Sequence, residues 1–160
     1  MEKITINTSI DVYKSLEELE KVDQELMLKA IEIRKTAYAP YSNFEVGVAL
    51  LLENGAIVLG NNQENAAYPS GLCAERVAIF AAACQYPNVK FLKIFISATS
   101  RTHQIEEPIP PCGACRQSIS EYEIKQETPI KIYFMGAKGK VLVSESLKNL
   151  LPLMFDKKFL

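Results

Sequence analysis

Three of the four cysteines in this chain are spaced so that they could act together: Cys73, and the pair Cys112 and Cys115. Cys112-Gly113-Ala114-Cys115 is a C-x-x-C, a pattern shared by redox motifs and zinc knuckles. Cys73 lies just ahead of a helical stretch, and Glu75 follows it two residues later. A second helix opens around Cys112, so three thiolates held at two helix openings could meet at one metal. Helix N-termini aim partial positive charge and backbone N–H groups at such sulfurs, favouring the thiolate form that metals require. Zinc suits the set best, because it accepts thiolates in tetrahedral geometry and does no competing redox chemistry.

The number of ligands decides what such a site would do. A structural zinc normally takes four protein ligands, whereas a catalytic one takes three and leaves a position for water. Cys84 lies eleven residues after Cys73 on the same helix, which puts it roughly 16 Å away at about 1.5 Å per residue. It reads instead as a small buried hydrophobe. The only histidine, His103, falls in a polar loop with no ligand partner at a useful spacing and reads as solvated. The site is therefore expected to be three-coordinate and open.

An open zinc needs a proton acceptor beside it, and Glu75 is the candidate. Residues two apart on a regular helix point about 200° away from each other. Cys73 and Glu75 can share a metal only if Cys73 sits at the helix mouth, which Gly71 just upstream permits. Three thiolates leave a zinc site net negative, and an Arg76 guanidinium donating to the sulfurs would draw that charge off. Gln117, just past Cys115, is placed to orient Arg76. The competing readings are a structural zinc module with a fourth ligand and no use for Glu75, and a solvated helical Arg76.

These residues need a scaffold. Ile4, Ile6, Ile10 and Val12 alternate with polar residues, the period-two pattern of a strand. A helical stretch runs from about Leu16 to Tyr38 and stops near Pro40, with Glu17, Glu18 and Glu20 as a solvated face. Val46 to Leu52, the turn Glu53-Asn54-Gly55 and Ala56 to Leu59 read as a hairpin. A polar loop, Gly60 to Gly71, leads to a helix from Cys73 to Gln85, then an apolar strand from Phe91 to Ala98. A proline-rich loop precedes the helix opening at Cys112, where Pro111 is tolerated. Ile130 to Met135 and Lys140 to Val143 flank a second hairpin turn, and Ser146 to Leu153 reads as a short terminal helix. Hairpin, helix, strand, helix, hairpin implies a mixed sheet covered by helices.

The chain has 160 residues, 48% apolar and 23% charged, with a formal net charge of −1. This is the composition of one soluble domain with a real core, 1–160, and no linker or repeat divides it. A nucleic-acid partner would leave a basic signature, and none is visible. Met1 to Tyr13 has no leader-like apolar run, and no segment approaches the roughly 18 apolar residues of a membrane span. A cytoplasmic protein is expected.

The strings CAER (Cys73 to Arg76) and PCGACRQ (Pro111 to Gln117) resemble the two signature motifs of the small zinc-dependent cytidine deaminases. APYSNFEVG (Ala39 to Gly47), GNNQENAAYP (Gly60 to Pro69) and LLPLMF (Leu150 to Phe155) agree with the same family, over about Tyr38 to Phe155. The resemblance implies a three-layer α/β/α fold with a mixed, roughly five-stranded sheet. It implies one zinc per subunit on Cys73, Cys112 and Cys115, with Glu75 as proton shuttle for a zinc-activated water. Asn62 and Glu64 match the pair that binds the ribose hydroxyls, and Phe44 an aromatic that packs on the pyrimidine. Phe155 matches a phenylalanine that enters a neighbouring subunit's pocket, so a homotetramer with shared active sites is implied. The implied reaction is hydrolytic deamination of cytidine and deoxycytidine, free nucleosides rather than polynucleotides, in pyrimidine salvage.

Residues 1–15 lie outside the resemblance as an extension of unmatched role, and the loop Arg101 to Pro110 looks longer than usual. On residue type alone, Phe44, Tyr68 and Phe155 read as packing residues, and Asn62 and Glu64 as loop-capping polars. The motif context reverses this for Phe44 and Phe155 and leaves Tyr68 open. A cytosine-bearing antibiotic nucleoside is the alternative substrate, and a zinc-stabilised interaction protein the non-catalytic one.

Overall fold

The computed structural model describes all residues, 1–160. Its strands are β1 (Asp11–Tyr13), β2 (Phe44–Leu52), β3 (Ile57–Asn61), β4 (Phe91–Ser100), β5 (Lys131–Met135) and β6 (Val141–Ser144). The helices are α1 (Lys21–Arg34), α2 (Ala74–Gln85) and α3 (Gly113–Gln126). The sheet runs in the order β1-β6-β5-β4-β2-β3. Only β4 and β5 are parallel, joined by α3; every other pairing is antiparallel. The layers are as expected, but the sheet has six strands, because β1 is added at the β6 edge.

Both sheet faces are covered, which is why its central strands are apolar at successive positions rather than alternating. On β2, Val48, Leu50 and Leu52 join Ile94 and Ile96 of β4 in a core with Ala78, Ile79 and Ile119 of α2 and α3. Ala49, Phe95 and Tyr133 face the other way, against Leu26, Met27 and Ala30 of α1. Phe95 and Tyr133 stack there with ring centroids 4.3 Å apart. Asp23, buried on α1, accepts from Lys93 Nζ at 2.6 Å and from the Tyr133 hydroxyl at 2.7 Å, tying that helix to β4 and β5.

Four expectations are corrected. The alternation from Ile4 onward becomes a strand only at Asp11–Tyr13, paired to Val141–Val143; β6 is itself four residues long, and Ile4 and Ile6 stay exposed. The stretch from Leu16 to Tyr38 is not one helix. A 3-10 turn at Leu16–Glu18 ends in extended backbone at Leu19, and α1 stops at Arg34. Tyr38 is drawn off into a bridge with Gln63, its N–H donating to the Asn62 carbonyl. The terminal helix shrinks to one 3-10 turn, Leu147–Asn149, since Pro152 disfavours helical backbone before it. Cys84 is exposed, not buried. None of the helices is long and apolar enough to cross a membrane.

Glu123 clasps the C-terminal half. Its buried carboxylate accepts from the backbone N–H of Ile130 (2.8 Å) and Leu147 (2.9 Å) and from the Ser146 hydroxyl (2.6 Å). Glu123→Leu would orphan three donors, so it is expected to destabilise the fold by about 3 kcal/mol in urea unfolding. A loss below about 0.5 kcal/mol would show the clasp to be dispensable.

Candidate active site

The N-termini of α2 and α3 converge beside the carboxyl end of β4, the usual position for a site in a sheet with parallel strands. Cys73 is the N-cap of α2 (φ −67°, ψ 153°) and Cys112 the N-cap of α3 (φ −65°, ψ 168°), both in extended backbone. Cys115 lies in the first turn of α3, buried. The non-helical N-cap resolves the angular conflict between Cys73 and Glu75, as its side chain leaves the backbone before the helical rotation begins. Gly60 on β3 lets α2 approach: a Cβ there would lie 2.6 Å from the Ala74 carbonyl oxygen and 2.7 Å from the Ala78 nitrogen.

The three sulfurs cluster. Cys73 Sγ and Cys112 Sγ are 3.9 Å apart, Cys112 Sγ and Cys115 Sγ 3.5 Å, and all three lie within 4.8 Å of one another. Tetrahedral zinc with bonds of about 2.3 Å requires sulfur separations of about 3.8 Å. The triad therefore fits the ion with little movement. No fourth His, Cys, Asp or Glu joins the group.

Without a cation the sulfurs share protons. A hydrogen bond from Cys115 holds Cys73 down at about 5 against the opposing effect of burial, with Arg76 and Cys112 adding to the lowering. The same bond, burial and the charge of Glu75 push the Cys115 thiol far up. A dication would release those protons, so binding is coupled to pH. Glu75 is 4% exposed. Burial raises its carboxyl to about 7, with its own backbone N–H opposing and the Cys73 charge adding to the rise. A carboxyl poised there can both take and give a proton near neutrality.

Arg76 Nη2 lies 3.8 Å from Cys73 Sγ. Gln117 does not meet it. Its Nε2 donates to the Phe155 carbonyl at 2.9 Å and to Ser120 Oγ at 3.4 Å, because α3 carries it toward the C-terminal tail. Arg116 was not singled out by sequence: its Nε donates to the Pro111 carbonyl (2.8 Å) and its Nη1 to that of Leu150 (3.0 Å), bracing the segment before Cys112. Nothing in residue type or spacing announces that role.

A cavity of about 660 Å³ opens over Cys73, Glu75 and Cys112, floored by Ile96 and Ala98 of β4. Phe44, Asn62 and Glu64 line the same cavity, and Tyr68, left open by the sequence, stands at its edge. The Asn62 amide donates to the Phe44 carbonyl at 2.9 Å and accepts from the Val46 N–H at 2.8 Å, which leaves one N–H free. Phe155 lies outside the cavity, 57% exposed and stacked on Phe159. Ile109 and Pro110, from the long loop before α3, also line the wall. They went unrecognised because loop prolines and apolar residues carry no chemical signal.

Residues 20–128 match the family model described as the cytidine and deoxycytidylate deaminase zinc-binding region. Over 130 residues the chain is 38% identical to a cytidine deaminase of Halalkalibacterium halodurans, covering 79% of this chain and 92% of that one. A cytidine deaminase of Sporosarcina psychrophila is also 38% identical, over 134 residues, 84% of this chain and 91% of its own. The crystal structure of a cytidine deaminase from Burkholderia pseudomallei superposes with a TM-score of 0.71 at 37% identity, covering 82% of this chain and 97% of that one.

Proposed function

The chain belongs to the cytidine and deoxycytidylate deaminase family, and from that premise we propose that it hydrolyses cytidine and deoxycytidine to uridine and deoxyuridine, releasing ammonia. The observation that carries this reading is an open three-cysteine cluster with the buried Glu75 carboxyl beside it, in one cavity with Phe44, Asn62 and Glu64.

Cys73, Cys112 and Cys115 would hold the zinc, which as a Lewis acid lowers the pKa of a water and so supplies the nucleophile for carbon 4 of the cytosine ring. Glu75 accepts the proton that this water loses. It delivers that proton to ring nitrogen 3, then takes the second proton from the new hydroxyl on carbon 4 and passes it to the exocyclic amino group, so that water adds, ammonia leaves and the base becomes uracil. Arg76 draws negative charge from the Cys73 sulfur. The free Asn62 N–H and the Glu64 carboxylate offer one donor and one acceptor to the sugar hydroxyls, and Phe44 packs on the base.

Residues 1–160 would act as one deaminase domain with 1–15 as an extension, in the cytoplasm and in pyrimidine salvage. Free cysteines at the site suit a reducing compartment. The protein would assemble as a homotetramer in which Phe155 reaches a neighbour's cavity, a reading supported by that ring's exposure. Sedimentation at four times the 17.9 kDa chain mass is the expected result, and a monomer would overturn the shared sites.

Glu75→Gln tests the chemistry. In the ultraviolet assay of cytidine loss, turnover should fall by at least about 10³-fold while bound zinc stays at the wild-type level. Wild-type turnover in a zinc-replete variant would remove Glu75 from its role, and an inert wild type would remove the proposed substrate.

A further inference from the structure

Glu64 is not a free side chain. The turn from Ala39 to Asn43 wraps around its carboxylate: the N–H groups of Tyr41 (2.9 Å) and Ser42 (3.3 Å) donate to Oε2, and the Ser42 hydroxyl donates to Oε1. Asn43 closes the turn at φ 56°, a left-handed conformation that asparagine tolerates. Its N–H donates to the Ala39 carbonyl, and its own carbonyl accepts from the Arg101 N–H at 2.8 Å. Ser42 Oγ simultaneously accepts from the Phe44 N–H at 3.0 Å. One hydroxyl thus joins the carboxylate read as facing the sugar to the backbone of the residue read as facing the base.

A carboxylate offers about four lone-pair positions. Two backbone N–H groups occupy Oε2 and Ser42 takes one position on Oε1, which leaves one for a single incoming hydroxyl. Burial alone would raise the Glu64 carboxyl, but the hydrogen bonds from Ser42 and the turn, with the charge of Arg101, hold it below the usual carboxylate range. It is therefore kept as an acceptor.

We propose that Ser42 is a positioning residue that sets sugar specificity: its hydroxyl locks Glu64 to accept one sugar hydroxyl. This rests on the reading of Glu64 as a sugar contact. The serine touches no reacting atom, so its effect should appear in KM and depend on whether the substrate carries the hydroxyl.

Steady-state kinetics of wild type, Ser42→Ala and Ser42→Thr, with cytidine and with 2′,3′-dideoxycytidine, test it. Ser42→Ala should raise KM for cytidine about tenfold with kcat within about twofold of wild type. On dideoxycytidine, which presents no ring hydroxyl to Glu64, the two enzymes should differ by less than about twofold. Ser42→Thr, which keeps the hydroxyl, should recover most of the loss. If Ser42→Ala does not fold, Ser42→Cys takes its place, its weakly donating thiol giving the same direction of change. Equal penalties on both substrates, or a fall in kcat at constant KM, would overturn the role of Ser42 while leaving an active deaminase. A wild type inert toward cytidine would instead overturn the functional reading, and this inference with it.

Discussion

Everything at this site depends on two helix mouths being held at one point. The parallel pair β4 and β5 requires a crossover, and α3 is that crossover, so its N-terminus opens beside the carboxyl end of β4. The approach of α2 to β3, allowed by the missing side chain at Gly60, brings the second N-terminus alongside. Three sulfurs then stand within 4.8 Å of one another, and as thiolates their charges repel unless a cation sits between them. The two helix dipoles and Arg76 offset part of that charge, and zinc would supply the rest.

The same convergence creates the environment of Glu75. Its backbone lies in the first turn of α2, and its carboxyl lines the cavity beside Cys73, buried rather than in the solvent Glu64 shares. The two glutamates diverge accordingly: burial raises Glu75 to about 7, while the hydrogen bonds of the Tyr41–Asn43 turn hold Glu64 down. Two carboxylates in one cavity can thus carry different tasks, a proton carrier and a fixed acceptor, because their partners differ.

The sequence made the metal cluster legible because ligand chemistry is local: cysteine type, C-x-x-C spacing and a helix start suffice to bring Cys112 and Cys115 together, and a second helix start adds Cys73. It placed the hairpins and helices of the middle of the chain for the same reason. It misjudged what depends on partners. Ile4 and Ile6 have a strand's pattern, yet β6 offers no edge for them to pair with. Gln117 has the right spacing for Arg76 but is carried by α3 to the Phe155 carbonyl. Cys84, apolar enough for a core, lies on the outer face of α2. The enclosure of Glu64 by Tyr41 and Ser42 was invisible, since backbone N–H groups leave no mark in a sequence.

The central claim is an open site: three protein sulfurs and one position left for water. Zinc-edge X-ray absorption on the metal-loaded protein tests it most directly. Three sulfur scatterers at about 2.3 Å with one oxygen at about 2.0 Å are predicted. Four sulfurs, or a shell completed by the imidazole of His103, would contradict the account and make the zinc structural.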